Sequence, residues 1–508
     1  MLCHTIPLLA ALHGGPEALE RPGTPDDFPQ LHAAANGAPQ VWRPDTLGYV
    51  DSDTHNVRCH WAEDEFEQYC DAVVEAAEIA WDTQTAAGFP EPFTDEGLGG
   101  SDAVDIYLET ETTGGGAYAY CMYTGENAYT ICDDADETDG RSGSSAYIAI
   151  DPNIGQSFLA SYVAHEFNHV LQYAIDFNEP VLPFWEGTAT AAQSWTLGDD
   201  ASMSPIEVWD FQAVPWASLF SDGYMLWKDL GLWSYYEYGA EIWFHHYESM
   251  HGDGTGSATA NLWLAGAQEG ATNEPDILDA WEAETGDWQA SFLSFVSARG
   301  RIGTANSPDW ASSWLDEAAE VNVLREMTPD IMPSNVNPNR PPEQLGALFF
   351  DISGLATGQT IDVTIDSEAE VEWAVVFIDG AEEAVEAPVS VGQTVSYAPT
   401  DGDARVAVVN LGPNGWDIDT HDWGALWIML SAAELEINFA VGEGGKSQDT
   451  GDTGTPNDTG AANDTGNSRP PKGDDEKPGA CGCNTGAGWG WGLLALPLVA
   501  FRRRECAP

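Results

Sequence analysis

The chain has 508 residues, with 17 Lys plus Arg against 83 Asp plus Glu, a formal net charge of −66 with His neutral. Such a field repels phosphate backbones and anionic headgroups, which excludes nucleic-acid binding and a polybasic grip on membranes. Yet 43% apolar residues and 21 Trp are too much core-forming material for a disordered acidic chain.

Residues 1–45 read as a leader or pro-segment. Ile6–Leu12 is a short apolar run with no Lys or Arg before it, a poor signal peptide. Thr54–Trp61 reads as a strand. Phe66, Cys70, Val73, Val74, Ala77 and Trp81 then mark one helical face. Val104–Leu108, a hairpin around Glu126 and Asn127, and Ala146–Ile150 read as strands of one sheet. Four Cys in this region suit two disulfides in an oxidising compartment. A turn centred between Glu126 and Asn127 sets Cys121 opposite Cys132, while Cys59 and Cys70 would join a strand to the next helix. The acidic stretch Asp133–Gly140 is a candidate Ca²⁺ loop without EF-hand order, competing with a plain solvated loop.

The sharpest motif is His165-Glu166-Phe-Asn-His169, inside the helical pattern Gln156–Ile175. Imidazoles one turn apart share a helix face and can share one tetrahedral Zn²⁺. Glu166 is offset, so its carboxylate can reach a water rather than the metal. A catalytic zinc needs a third protein ligand and an open position. Glu186, in Phe184-Trp-Glu-Gly-Thr-Ala189, lies 17 residues after His169 behind the helix-start signal Pro183. Glu179 competes, but it precedes Pro180 in an expected loop.

This pair of motifs resembles the gluzincin group, in particular secreted zinc metalloproteases of myxobacterial type, over roughly residues 50–300. The resemblance implies a zincin-like α+β domain spanning 46–335: a mixed sheet with the active-site helix, then a helical subdomain. It implies peptide-bond hydrolysis by zinc-activated water, with Zn²⁺ on His165, His169 and Glu186 and with Glu166 as general base. Tyr236-Glu-Tyr238-Gly-Ala240 resembles the segment whose Tyr stabilises the oxyanion in gluzincin aminopeptidases; Tyr236 matches that Tyr. Tyr238 is the second candidate, and His245 or His246 would serve as in thermolysin-like members. Zincins pair an edge strand with substrate backbone, here Ala146–Ile150. The exopeptidase segment Gly-x-Met-x-Asn is absent, which favours a metalloendopeptidase acting on protein or peptide.

Residues 205–330 read as mostly helical. Residues 340–442 read as an all-β sandwich, with strands Leu348–Ile352, Ile361–Ile365, Trp373–Ile378, Ala404–Val409 and Leu435–Phe439. Residues 444–480 carry four Asp-Thr-Gly triplets and no large apolar residue, the composition of a flexible stalk. In residues 481–508, Cys481-Gly-Cys483, an apolar run to Phe501 and Arg502–Arg504 follow in order. That order resembles a Myxo-CTERM sorting tail. It implies export, processing near Cys481 or Cys483, and a body held at or released from the cell surface. The expected molecule is a monomer that meets the membrane only through this tail. Two other readings stay open: an adhesion or binding protein on an inactive metalloprotease scaffold, and a non-peptidase zinc hydrolase.

Overall fold

The structure, a computed structural model, describes residues 44–443 except 96, 111–114, 120, 125–128, 133–139, 155, 178, 199–204, 224–225, 227–234, 268–272, 312–319, 419–425, 427–429 and 431. The leader, the acidic loop at 133–139, the stalk and the sorting tail therefore lie outside the described residues. Among the described residues no helix is long and apolar enough to cross a membrane.

The chain opens with strands β1 (Gly48–Asp51) and β2 (Val57–Trp61), then helix α1 (Glu67–Ala87). Strands β3 (Val104–Leu108), β4 (Gly115–Ala119), β5 (Cys121–Thr124), β6 (Tyr129–Cys132) and β7 (Ala146–Ile150) follow. The main sheet has the order β1-β2-β3-β7-β4. Its centre is parallel, β2 with β3 and β3 with β7, while β1 and β4 run antiparallel at the two ends. Helices α2 (Gln156–Tyr173) and α3 (Leu182–Leu197) come next and pack on each other and on α1. Every residue of β3 and β7 is buried, as a strand covered on both faces requires.

Two expectations are corrected here. Ala146–Ile150 is no edge strand: β3 bonds one side of it and β4 the other. The edge on that side is Gly115–Ala119, with β1 at the opposite edge, and its Gly-Gly-Ala start shows no strand pattern. The hairpin β5–β6 forms its own two-stranded ladder rather than joining the main sheet. Its register does set Cys121 opposite Cys132. Cys59 and Cys70 form a disulfide that ties β2 to α1.

The helical region continues with α4 (Pro205–Ala213), the short α5 (Tyr236–Gly239), α6 (Glu241–His251), α7 (Ser257–Gly266), α8 (Ile277–Thr285) and α9 (Trp288–Arg301). Asp276 and Asp287 cap α8 and α9 by accepting from Asp279 N–H and Ala290 N–H. Five large aromatics, Trp185, Trp243, Trp263, Trp281 and Tyr236, are fully buried and fill the space between these helices. Much of the Trp count is thus core.

Two further sheets stack around a second apolar core. One has the order β13-β12-β15-β10-β8, the other β14-β11-β16-β9. Their strands are β8 (Val323–Met327), β9 (Ser334–Val336), β10 (Gly346–Ile352), β11 (Gln359–Asp366), β12 (Trp373–Asp379), β13 (Glu382–Val389), β14 (Thr394–Tyr397), β15 (Ala404–Asn410) and β16 (Glu436–Glu443). Phe350, Val363, Trp373, Val406 and Phe439 lie in that core.

The unit begins before residue 340, because β8 pairs in parallel with β10 and β9 antiparallel with β16. Val323-Leu-Arg-Glu-Met327 lacks alternation because most of it faces solvent at a sheet edge. The exposed β13, with Pro388 near its end, lacks alternation for the same reason. Nor does the unit hang free. Phe349, Val376, Ile378 and Val409 on the opposite face of the five-stranded sheet belong to the main core, and Ile378 and Phe349 close on Gly300 of α9. Arg405 pairs with Asp351 through both its Nε and Nη2, at 2.7 and 3.0 Å, and its Nη1 donates to Gly300 O. A sheet covered on both faces explains the near-continuous apolar run of β12.

Candidate metal centre

Helix α2 lies in the middle of the main core, with Leu159, Val163, Phe167, Val170 and Leu171 buried around it. Gln84 of α1 fixes its rotation. Its amide donates to Ala164 O at 2.9 Å and accepts from Asn168 Nδ2 at 3.1 Å. The remaining face carries His165 and His169, and α3 brings Glu186 against them. The Nε2 atoms stand 3.1 Å apart, and Glu186 Oε2 is 3.1 Å from His165 Nε2 and 3.3 Å from His169 Nε2. All three residues are buried. Donors around a tetrahedral zinc at about 2.0–2.1 Å stand about 3.3–3.4 Å apart, so this triangle fits such an ion. Two imidazoles and one carboxylate also match the donor set of a catalytic zinc, which keeps a fourth position open.

The outer atoms of both rings are held. His169 Nδ1 lies 2.6 Å from Gln172 Oε1, and Gln172 Nε2 donates to Trp185 O at 3.1 Å. With a cation bound, Nδ1 keeps its proton on Gln172 Oε1 and Nε2 gives its lone pair to the ion. Gln193 Nε2 lies 2.9 Å from His165 Nδ1, and its Oε1 accepts from Ser161 Oγ at 2.7 Å. A half-turn of this amide exchanges the two atoms without changing shape. A cation on His165 Nε2 requires the exchanged form, with amide oxygen on Nδ1–H and amide nitrogen on Ser161 Oγ. Burial opposes charge on Glu186, but His169 and hydrogen bonds from both rings hold its carboxyl at about 2. Burial likewise opposes charge on His169, and Glu186 outweighs it, raising the imidazole to about 9.

Gly187 explains the residue after Glu186. A Cβ there would lie 2.9 Å from Phe244 Cε2 and 3.1 Å from Ala240 Cβ, so α3 can approach α5 and α6 only with Gly. The approach brings Tyr238 to the cluster. Its ring stacks on His165, centroids 5.8 Å apart and planes 22° from parallel. Burial and the carboxylates of Glu186, Glu237 and Glu166 push its hydroxyl well above 10, so it stays a proton donor. Glu207 on α4 lies within electrostatic reach of Glu186. Burial, then Glu241, Asp210 and Glu186, raise it to about 8.

The structure thus brings His165, His169 and Glu186 together, with Glu166 on the same turn of α2. It does not bring Tyr236 there. That ring packs on Phe211, and its hydroxyl donates to Ala217 O and Ser218 O, at 3.1 and 2.9 Å. Tyr236 is thus buried in the core, and Tyr238 is the tyrosine of this segment that reaches His165. Two positions along one turn of helix swing a side chain by about 200°, so the motif match alone could not choose between them. Glu179 also stays away: it accepts from Val181 N–H at 2.8 Å, at the start of α3. His245 lies 3.4 Å from Ser194 Oγ and stacks on Trp310, and His246 lines a separate cleft. The motifs by themselves assign no hydrogen-bonding role to Ser161, Gln172 or Gln193. Ser161 and Gln172 continue the His165–His169 stripe at helical spacing, the one signal that would have found them.

No protein-family description and no curated protein matches this chain. One solved structure, a family GH115 4-O-methyl-α-glucuronidase with specificity for decorated arabinogalactans, aligns at 9% identity over 58% of this chain and 46% of its own, with a TM-score of 0.14.

Proposed function

We propose that this protein is a zinc-dependent peptidase working outside the cytoplasm. The observation that carries the proposal is the buried triangle of His165, His169 and Glu186, with outer hydrogen bonds on both rings and Glu166 beside it. Zinc bound there would supply a Lewis acid for a scissile carbonyl and for the attacking water. Glu166 is the group that takes the proton from that water and returns it to the leaving amine. Tyr238, held protonated, donates a hydrogen bond to the oxygen that gains charge. The edge strand Gly115–Ala119, next to α2, offers backbone groups to an extended peptide. The Cys59–Cys70 disulfide accords with an oxidising compartment.

The test pairs metal analysis with cleavage. The expected result is about one zinc per chain, casein cleavage by wild type, and loss of cleavage with full zinc content in Glu166→Ala. Equal cleavage by wild type and variant, or a protein that takes up no zinc, overturns the proposal.

A further inference from the structure

Beside α6 is a cleft of about 470 Å³, a size typical of small-molecule sites, with none of the metal-cluster residues in its lining. It lies between α6, α9, the loop at Trp310 and the turn joining β12 to β13. His246 forms its inner wall. This side chain is 5% exposed, yet neither ring nitrogen has a hydrogen-bond partner. Burial, then Arg301 and His251, lower its pKa to about 4, so it is neutral near pH 7, with one N–H to give and one lone pair to fill. Beside it Arg301 donates from Nη1 to Ala381 O at 2.9 Å, with Nη2 3.6 Å from Glu383, while its Nε–H is buried and unpartnered. Native interiors rarely leave such donors unmet, since each forfeits its hydrogen bond to water. Glu382 and Glu383 stand at the rim, and Trp310 and Met250 form an apolar wall.

We propose that this cleft binds a free α-amino acid with an apolar side chain. Two unmet donors, one of them on a guanidinium, call for a carboxylate, received by Arg301 Nε–H and the His246 N–H. A simple anion would be repelled by Glu382 and Glu383, but an α-amino acid carries an ammonium next to its carboxylate. That adjacent pair of opposite charges mirrors the adjacent Arg301 and Glu383. The apolar side chain lies on Trp310 and Met250. The site shares no residue with the metal cluster and does not depend on the peptidase reading.

Calorimetric titration of the full chain, freed of metal by a chelator, tests this with L-phenylalanine, L-phenylalaninamide and N-acetyl-L-phenylalanine. Phenylalanine should saturate one site per chain, and each blocked analogue should bind about tenfold more weakly or worse. Arg301→Gln and His246→Phe should each lose about tenfold or more, while Glu166→Gln binds like wild type. Nitrogen NMR of the His246 ring should shift on adding phenylalanine, a readout independent of either variant folding well. No saturable binding of phenylalanine overturns the proposal. So does equal binding of the amide, an unmoved His246 ring, wild-type binding by Arg301→Gln, or loss of binding in Glu166→Gln.

Discussion

Gln193 is the most informative residue to change, because it alone joins Ser161 Oγ to His165 Nδ1, at 2.7 and 2.9 Å. Gln193→Leu removes both bonds and leaves two polar atoms beside an apolar side chain. At about 0.5–1.5 kcal/mol per bond, stability should fall by about 1–3 kcal/mol. Zinc affinity should fall further than this suggests, since His165 loses the partner that fixes its ring and its proton. Outer partners of metal-bound His are worth about 10–100-fold in affinity. Gln193→Glu is the discriminating control. A carboxylate can only accept, so it suits a protonated Nδ1 on His165 and the Ser161 hydroxyl together. It also adds a buried negative charge near Glu186. The metal-free variant should therefore be less stable than wild type, while its zinc affinity stays within about threefold or rises. Competition with a chromogenic chelator gives the affinities, and urea unfolding with and without zinc gives the stabilities. If Gln193→Glu loses zinc as badly as Gln193→Leu, Nδ1 is not the donor and the assigned ring orientation is wrong. If Gln193→Leu keeps wild-type affinity, the amide has no part in holding the metal.

Tyr238→Phe should lower turnover about 10²-fold or more with unchanged zinc content, whereas Tyr236→Phe should cost about 1–3 kcal/mol of stability without a selective loss of turnover; the reverse pattern would return the role to Tyr236. Burial and then Asp279 and Asp417 raise the Asp276 carboxyl to about 6, and Glu207 is raised to about 8. A raised folded-state pKa gives stability that is full below about pH 4 and lost as pH climbs through 6 to 8. The urea midpoint should thus be higher at pH 5.5 than at pH 8, and Asp276→Asn should flatten part of that slope; a midpoint that rises with pH over this window contradicts the assignment. Replacing Cys59 and Cys70 together by Ser opens a loop with a sequence separation of 11 and should cost about 2–3 kcal/mol, read in the same assay under oxidising conditions. A double variant as stable as wild type would mean that the bridge constrains nothing in the unfolded chain.

The amino-acid sequence by itself determined the parts of this protein whose signal is local. His165 and His169 share a face because they are one helical turn apart, and no packing is needed to know it. The five central sandwich strands show their alternation or apolar runs because the sheets bury them. The Cys121/Cys132 register follows from where the turn falls. Tertiary structure alone decided what depends on distance along the chain or on a choice between near neighbours. It set Glu186 rather than Glu179 beside the histidines, because α3 carries Glu186 Oε2 to 3.1 Å from His165 Nε2 while Glu179 is held by Val181 N–H ahead of that helix. It turned Tyr238 toward His165 and Tyr236 into the core. It gave the sheet edge to Gly115–Ala119, and it bound the second β unit to α9 through a face that solvent never reaches. Each of these is settled by which side chains fill a shared volume, and that volume exists only once the chain has folded.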